Sequence, residues 1–219
     1  MSELLVRGGQ VLHPDGSVAP GEVLVDRDAG TIAAVDEPGA LDGDDELDAS
    51  DGLVLPGLVN AHTHAAMTLF RGLADDKPLD AWLQEDIWPV EAELRGEDVA
   101  AGTRLAAAEM IRSGTTAFGD MYFFMPEVAA VVEETGLRAR LGHGCISVGK
   151  DDEAARADFE EGLAFAREYD GAAEGRLSTM FTPHSLTTVF EEHFREFVPK
   201  AREADLPIHF HANETVDEV

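Results

Sequence analysis

The chain has a single cysteine, Cys145, in 219 residues, so no disulfide framework can hold it together. It has three lysines, Lys77, Lys150 and Lys200, against thirteen arginines, which is the total of 16 basic residues less those three. No apolar run approaches the length of a membrane span. The opening stretch MSELLVRGGQVLHPDG lacks the basic-then-apolar order of an export signal. Repeats, linkers and low-complexity segments are also lacking. Together these absences point to a folded protein of the cytoplasm.

Acid is abundant. Forty-four Asp and Glu residues give a formal net charge of −28. They are spread along the whole chain and not gathered in a tail. Such a surface repels nucleic acid and anionic membrane, which excludes both as partners. A hydrophobic content of 44% separates it from acidic disordered chains. Dispersed acid with almost no lysine resembles the composition of proteins from salt-loving archaea, where salt screens the self-repulsion.

Residues 3–12 predict a short strand interrupted by a Gly pair, and 22–36 a hairpin turning at Arg27-Asp28-Ala29-Gly30. Residues 37–52 are rich in Pro, Gly and Asp and predict a surface connection. Residues 1–52 therefore form a small β layer, too small for its own core. From residue 53 strands alternate with helices, which implies a parallel sheet. Strands are expected at 53–61, 115–121, 137–147, 176–184 and 207–213. Helices are expected at 78–94, 97–113, 126–135, 151–170 and 188–205, with Pro199 kinking the last. The fold class is α/β. Five β/α units are too few to close an eight-stranded barrel, so 53–219 reads as an open sheet or as part of a barrel.

The polar residues favour the barrel. His62, His64, Asp120, His143, His184 and His211 all fall at or near C-terminal ends of expected strands, which converge on one face of a barrel. His62-Thr63-His64 places two imidazoles on the same side of a strand, where two neutral nitrogens can share a divalent metal. A bare His-x-His is more often a pair of core histidines. In the segment 209–215, HFHANET, His211 ends a strand and Glu214 follows three residues later. That spacing can set a metal ligand and a carboxylic acid beside one reacting atom. By itself Glu214 is equally a carboxylate favoured at a helix start. His209 sits one layer deeper and reads as a packed, hydrogen-bonded core histidine. Asp120 reads as a structural hydrogen-bond acceptor.

PGLVNAHTH, FTPHS and HANET resemble the metal-dependent amidohydrolase superfamily. HTHAAMTLFRGLADDKPLDAWLQEDIWPVE followed by GDMYF is similar, within it, to the group of 5′-methylthioadenosine and S-adenosylhomocysteine deaminases, with chlorohydrolases as near relatives. The resemblance implies a (β/α)8 barrel preceded by a composite β-sandwich, of which 1–52 is the N-terminal part and 53–219 the first five units, with the C-terminal part missing. It implies one divalent metal held by His62, His64 and His211, zinc first, with iron, nickel and manganese as alternatives. Glu214 would shuttle a proton to the substrate ring, and His184 would contact the substrate. Trp82 would pack on the base and Glu91 would bind the ribose hydroxyls. The family places arginines after the third strand for the carboxylate of S-adenosylhomocysteine. Here His143 stands in place of one and Arg156 matches the other, which leaves smaller 5′-modified adenosines open.

The fourth strand ends Thr182-Pro183-His184 and lacks the metal-bridging lysine of two-metal relatives, which supports the one-metal type. The sixth-strand histidine and the eighth-strand aspartate, a ligand and general base, would lie beyond residue 219. The expected function is hydrolytic deamination of adenosine-type nucleosides, with the 219 residues alone inactive. The alternatives are another ring substrate (guanine, cytosine or a chlorotriazine) and a non-catalytic metal-binding remnant. The expected partner is a small nucleoside. Homo-oligomerisation is left open.

Overall fold

A computed structural model describes residues 2–219. Two compact units emerge, 1–57 and 58–219.

The first unit holds two small sheets. Strands β1 (Glu3–Arg7), β4 (Glu22–Asp26), β5 (Thr31–Asp36) and β6 (Asp45–Asp48) form one, in the order β5-β4-β1-β6. Strands β2 (Gln10–Leu12), β3 (Val18–Pro20) and β7 (Leu53–Val54) form the other, in the order β3-β2-β7. The Gly8-Gly9 break between β1 and β2 and the β4–β5 hairpin follow the sequence reading. The supposed connection 37–52 instead contributes β6, paired in parallel with β1 from Leu4↔Asp45 to Arg7↔Asp48. Its acidic residues concealed the strand, because every β6 position is exposed and needs no apolar alternation. Leu5, Val11 and Val23 are the buried apolar residues here, a core of the small size expected.

In the second unit the parallel sheet runs β11-β10-β9-β8, with β12 beside β10. Its strands are β8 (Leu58–Thr63), β9 (Thr115–Tyr122), β10 (Arg138–Cys145), β11 (Leu177–Thr179) and β12 (Thr182–Pro183). The single strand expected at 53–61 is two, β7 and β8, separated by Leu55-Pro56-Gly57. Pro56 cannot donate to a ladder, and Gly57 does not favour one. Strand β8 lies at the sheet edge, with Leu58 and Val59 exposed. The fourth strand breaks into β11 and β12 around Met180 and Phe181, where Met180 N–H donates to the Leu141 carbonyl.

The fifth expected strand is not continuous. Residues 207–211 run beside β11 and β12 but pair only at Phe181↔Ile208 and Ser185↔His211. Pro207 has no N–H, and the strand it would follow is itself interrupted.

Helices α1 (Leu79–Ala81) and α2 (Trp88–Glu91) flank a π-helical turn, Trp82–Ile87, where one helix over 78–94 was expected. Pro89 lacks the N–H that would continue the α ladder, and the wide turn bonds Trp88 N–H to the Leu83 carbonyl instead. Helices α3 (Gly96–Arg112), α4 (Met125–Thr135), α5 (Asp152–Tyr169) and α6 (Glu191–Glu203) fall close to their predicted ranges. Pro126 near its start and Gly136 in the left-handed region just past its end delimit α4. Helix α6 runs through Pro199.

A 3-10 segment, Ala65–Phe70, follows His64 and packs on α3. A Cβ at Gly102 would lie 2.4 Å from the Ala66 carbonyl oxygen, so only glycine lets α3 approach this closely. Thr68 Oγ1 donates to the Gly102 carbonyl at 2.7 Å, tying the segment after His64 to α3.

On the surface, the Arg71 guanidinium forks onto Glu109 at 2.8 and 2.7 Å, and Lys200 reaches Glu160 and Glu196. With 44 acids against 16 bases, most carboxylates remain in excess. Screening that excess should stabilise the fold. The melting temperature of the complete protein is expected to rise steadily from 0.1 M toward molar potassium chloride (on the order of the screening range of ~10 to ~3 Å). A salt-independent melt would reject the role assigned to the acidic surface.

Candidate metal centre

Strand β8 carries His62 to its C-terminal end, and His64 follows it. The extended segment after Pro207 brings up His209 and His211. Its position is set by His211 N–H donating to the His184 carbonyl at 2.8 Å. The imidazoles of His62, His64, His184, His209 and His211 thereby crowd together, with His209 stacked on His62 at 4.9 Å. Ring centroids are 4.9 Å apart for His62 and His64, 4.8 Å for His62 and His211, 5.2 Å for His64 and His211, and 4.9 Å for His184 and His211. One nitrogen from each of His62, His64 and His211 falls within 4.8 Å of the others. Bonds of ~2.0–2.1 Å to one tetrahedral ion set ligand nitrogens about 3–4 Å apart. A spread of no more than 4.8 Å is small enough for one ion to draw the three nitrogens onto itself.

Hydrogen bonds orient the rings. The Met121 carbonyl can only accept, so His64 Nδ1 carries the proton it donates there at 2.6 Å, and His64 Nε2 keeps its lone pair. His62 Nδ1 lies 2.6 Å from His209 Nε2. With Nδ1 as the donor, His62 Nε2 is likewise free to ligate. A ring nitrogen fixed by a second hydrogen bond is how ligating imidazoles are commonly held. His209 therefore buttresses His62 directly, a partnership that reading it as a core histidine missed; the i, i+2 spacing to His211 was the available signal. Burial, followed by repulsion from neighbouring histidines, pushes His211 down to about 3 and His62 and His184 down to about 4. The rings are thus neutral at pH 7, as metal ligation requires. The donor set suits a divalent ion of the zinc type.

The histidines face a cavity of about 370 Å³ that Trp82, Glu91, His184 and Glu214 also line. Leu79, Leu83, Ile87 and Trp88 make its wall largely apolar. The π turn presents three of these wall residues, Trp82, Leu83 and Ile87. Glu91 accepts a hydrogen bond from the Tyr122 hydroxyl at 2.6 Å, and burial raises its carboxyl above the ordinary value. Burial, with the Glu218 charge behind it, raises Glu214 too. So the structure brings together seven of the eight site residues singled out from sequence.

Arg156 is the exception. It sits on α5, paired with Asp152 at 2.9 Å and with Glu196 of α6, and it does not line the cavity. An i, i+4 carboxylate and a facing helix hold its guanidinium on the surface, a partnership invisible to motif matching. His143 Nε2–H donates to the Asp158 carboxylate at 2.9 Å, and Lys150 also contacts Asp158, at 2.7 Å.

Asp120 is fully buried. Its Oδ1 accepts the Ala65 N–H at 3.0 Å, pinning the backbone beside His64, while Oδ2 has no partner among the described residues. Burial pushes its pKa up from 3.8 to about 7. The folded state therefore holds a proton between those values that the unfolded chain has released. The contribution of Asp120 to stability is full below about pH 4 and is lost as pH rises through 7, on the order of a few kcal/mol. Melts at pH 5 and pH 8 are expected to differ more in the wild type than in Asp120→Asn, whose amide does not ionise. Equal differences in both would remove Asp120 as the cause.

Residues 53–219 match the model described as "Amidohydrolase family". This chain belongs to the amidohydrolase family.

The chain is 69% identical over 219 residues to the 5-methylthioadenosine/S-adenosylhomocysteine deaminase of Haloarcula marismortui, covering 100% of this chain and 51% of that protein. It is 48% identical over 221 residues to the 5′-deoxyadenosine deaminase of Methanococcoides burtonii, covering 100% of this chain and 50% of that protein. Among solved structures, an adenosine deaminase from Xanthomonas campestris with bound zinc superposes with a TM-score of 0.87 at 38% identity, over 100% of this chain and 51% of that one. This amidohydrolase chain thus spans about half the length of the curated relatives it matches. The partial-barrel reading of the α/β unit stands. Among the described residues no helix is long and apolar enough to cross a membrane.

Proposed function

We propose that this chain forms the metal-binding part of a hydrolytic deaminase acting on adenosine-type nucleosides, with 5′-methylthioadenosine, S-adenosylhomocysteine and 5′-deoxyadenosine as the substrate class. The observation that carries the reading is the convergence of His62, His64 and His211 beside Glu214 on one apolar-walled cavity. Its volume of about 370 Å³ is in the range of small-ligand sites. Support also comes from the deaminases that the chain resembles at 48–69% identity, and from the zinc in the Xanthomonas enzyme.

His62, His64 and His211 would hold the zinc through their unprotonated nitrogens. Zinc, when bound, supplies a Lewis acid that lowers the pKa of water from 15.7 toward ~7. The remaining work falls to the chain's own side chains. Deamination adds water across a ring C–N bond and releases ammonia, so a ring nitrogen must gain a proton as its neighbouring carbon becomes tetrahedral. Glu214 lines the cavity beside His211, with its carboxyl raised by burial, and is the group placed to deliver that proton. Trp82 stacks on the base, and Glu91, already fixed by Tyr122, accepts from the sugar hydroxyls. His184, which also lines the cavity, contacts the substrate. Arg156, locked in its ion pairs, takes no part.

The test is ammonia release by the complete zinc-loaded protein in molar potassium chloride, over a panel of the three adenosines, guanine, cytosine and a chlorotriazine. Turnover of the adenosines is expected. Turnover of guanine, cytosine or the triazine in their place would overturn the substrate assignment.

A further inference from the structure

The proton positions around His184 can be assigned from the hydroxyls behind it. Ser185 Oγ accepts two backbone N–H groups, from Thr187 at 3.3 Å and Thr188 at 3.1 Å. Those two bonds use both of its lone pairs, so Ser185 can only donate to another hydroxyl. Its neighbours are Thr188 Oγ1 at 2.8 Å and the exposed Thr187 Oγ1 at 3.0 Å. Thr188 Oγ1 also lies 2.7 Å from His184 Nδ1. Thr188 is buried, and its hydroxyl hydrogen has one acceptor within reach among the described residues, His184 Nδ1. If His184 Nδ1 carried the proton instead, the Thr188 hydrogen would be buried without a partner, a loss of about 1–3 kcal/mol. Thr188 is itself held firmly, because its carbonyl accepts from Ser147 N–H at 2.9 Å and Val148 N–H at 3.0 Å.

We infer that Thr188 is a positioning residue that fixes His184 as the Nε2–H tautomer, so that His184 offers the cavity a hydrogen-bond donor and no lone pair. His64 is wired the opposite way. Its Nδ1–H is spent on a carbonyl, and its Nε2 keeps the lone pair. Two histidines on one cavity are thereby sorted into a ligand type and a donor type by what stands behind each ring. His184 stays out of the ligand set although its ring is 4.9 Å from that of His211. Resting on the proposed deaminase reading, the inference also names a substrate requirement: the atom meeting His184 must be an acceptor, an unprotonated ring nitrogen or a sugar oxygen.

The decisive measurement is the ¹⁵N spectrum of the histidine side chains in the complete zinc-loaded protein, with His184 assigned by its loss in His184→Gln. A protonated Nε2 and an unprotonated Nδ1 are expected. A protonated Nδ1 would overturn the inference whether or not the protein deaminates nucleosides. Absence of deamination with a protonated Nε2 would count against the function alone.

Thr188→Val removes the hydroxyl at nearly constant volume. It is expected to mix the two tautomers and to raise KM about 3–10-fold, the worth of one neutral hydrogen bond. Zinc content should be unchanged, and Thr188→Ser should restore both the spectrum and KM. A spectrum unaffected by Thr188→Val would also sink the assignment. Should the valine variant not fold, the wild-type and serine spectra still decide the question.

Discussion

Replacing His211 by alanine is expected to strip the complete protein of its zinc and reduce deamination by more than the about 10²–10⁴-fold that a missing acid or base costs. His211 is central to the cluster, within 4.8 to 5.2 Å, centroid to centroid, of His62, His64 and His184. Without it two imidazoles remain, and a tetrahedral site loses one of its protein ligands. His209→Ala makes the graded comparison. His209 meets His62 Nδ1 and lies outside the three-histidine group, so its loss should weaken zinc affinity only about 10–100-fold. Elemental analysis after dialysis against a weak chelator, with turnover measured in parallel, reads both variants. Full zinc occupancy in His211→Ala would refute the three-histidine site. A His209→Ala variant as empty as His211→Ala would make His209 a ligand and not a buttress.

Glu214→Gln should leave zinc content and KM nearly unchanged and lower kcat by about 10²–10⁴-fold. Glutamine keeps the shape and hydrogen-bonding reach of the side chain but has no proton to give. Glu214 lines the cavity together with His211 and His184, and its carboxyl is raised by burial first and by Glu218 second. A group that only bound substrate would show its loss in KM at constant kcat, and that pattern would remove Glu214 from the proton-transfer role. Single-turnover rates in the variant would separate a slowed chemical step from slowed product release.

Composition and spacing alone determined the acidic, disulfide-free character of the chain, the α/β class, and helices α3 to α5 to within a residue or two. These features are local. They follow from the placing of apolar residues along each segment and from caps such as Pro126 and Gly136, and they require no knowledge of distant neighbours. The candidate ligands were legible for the same reason, since His-x-His at a strand end and His-x-x-Glu after it are short-range patterns. What tertiary structure decided was partnership. The turn from β7 to β8 and the loss of continuous pairing at 207–211 depend on where prolines fall against a neighbouring ladder, and the break at Met180-Phe181 on pairing with the strand beside it. Strand β6 exists only because β1 offers it an edge. Arg156 matched a motif position, yet Asp152 and Glu196 hold it elsewhere. Above all, the protonation pattern of the site rests on groups far away in sequence: the Met121 carbonyl behind His64, His209 behind His62, and the Thr188 hydroxyl behind His184. An imidazole becomes a ligand or a donor according to the hydrogen bond on its far nitrogen, and only the folded chain supplies that bond.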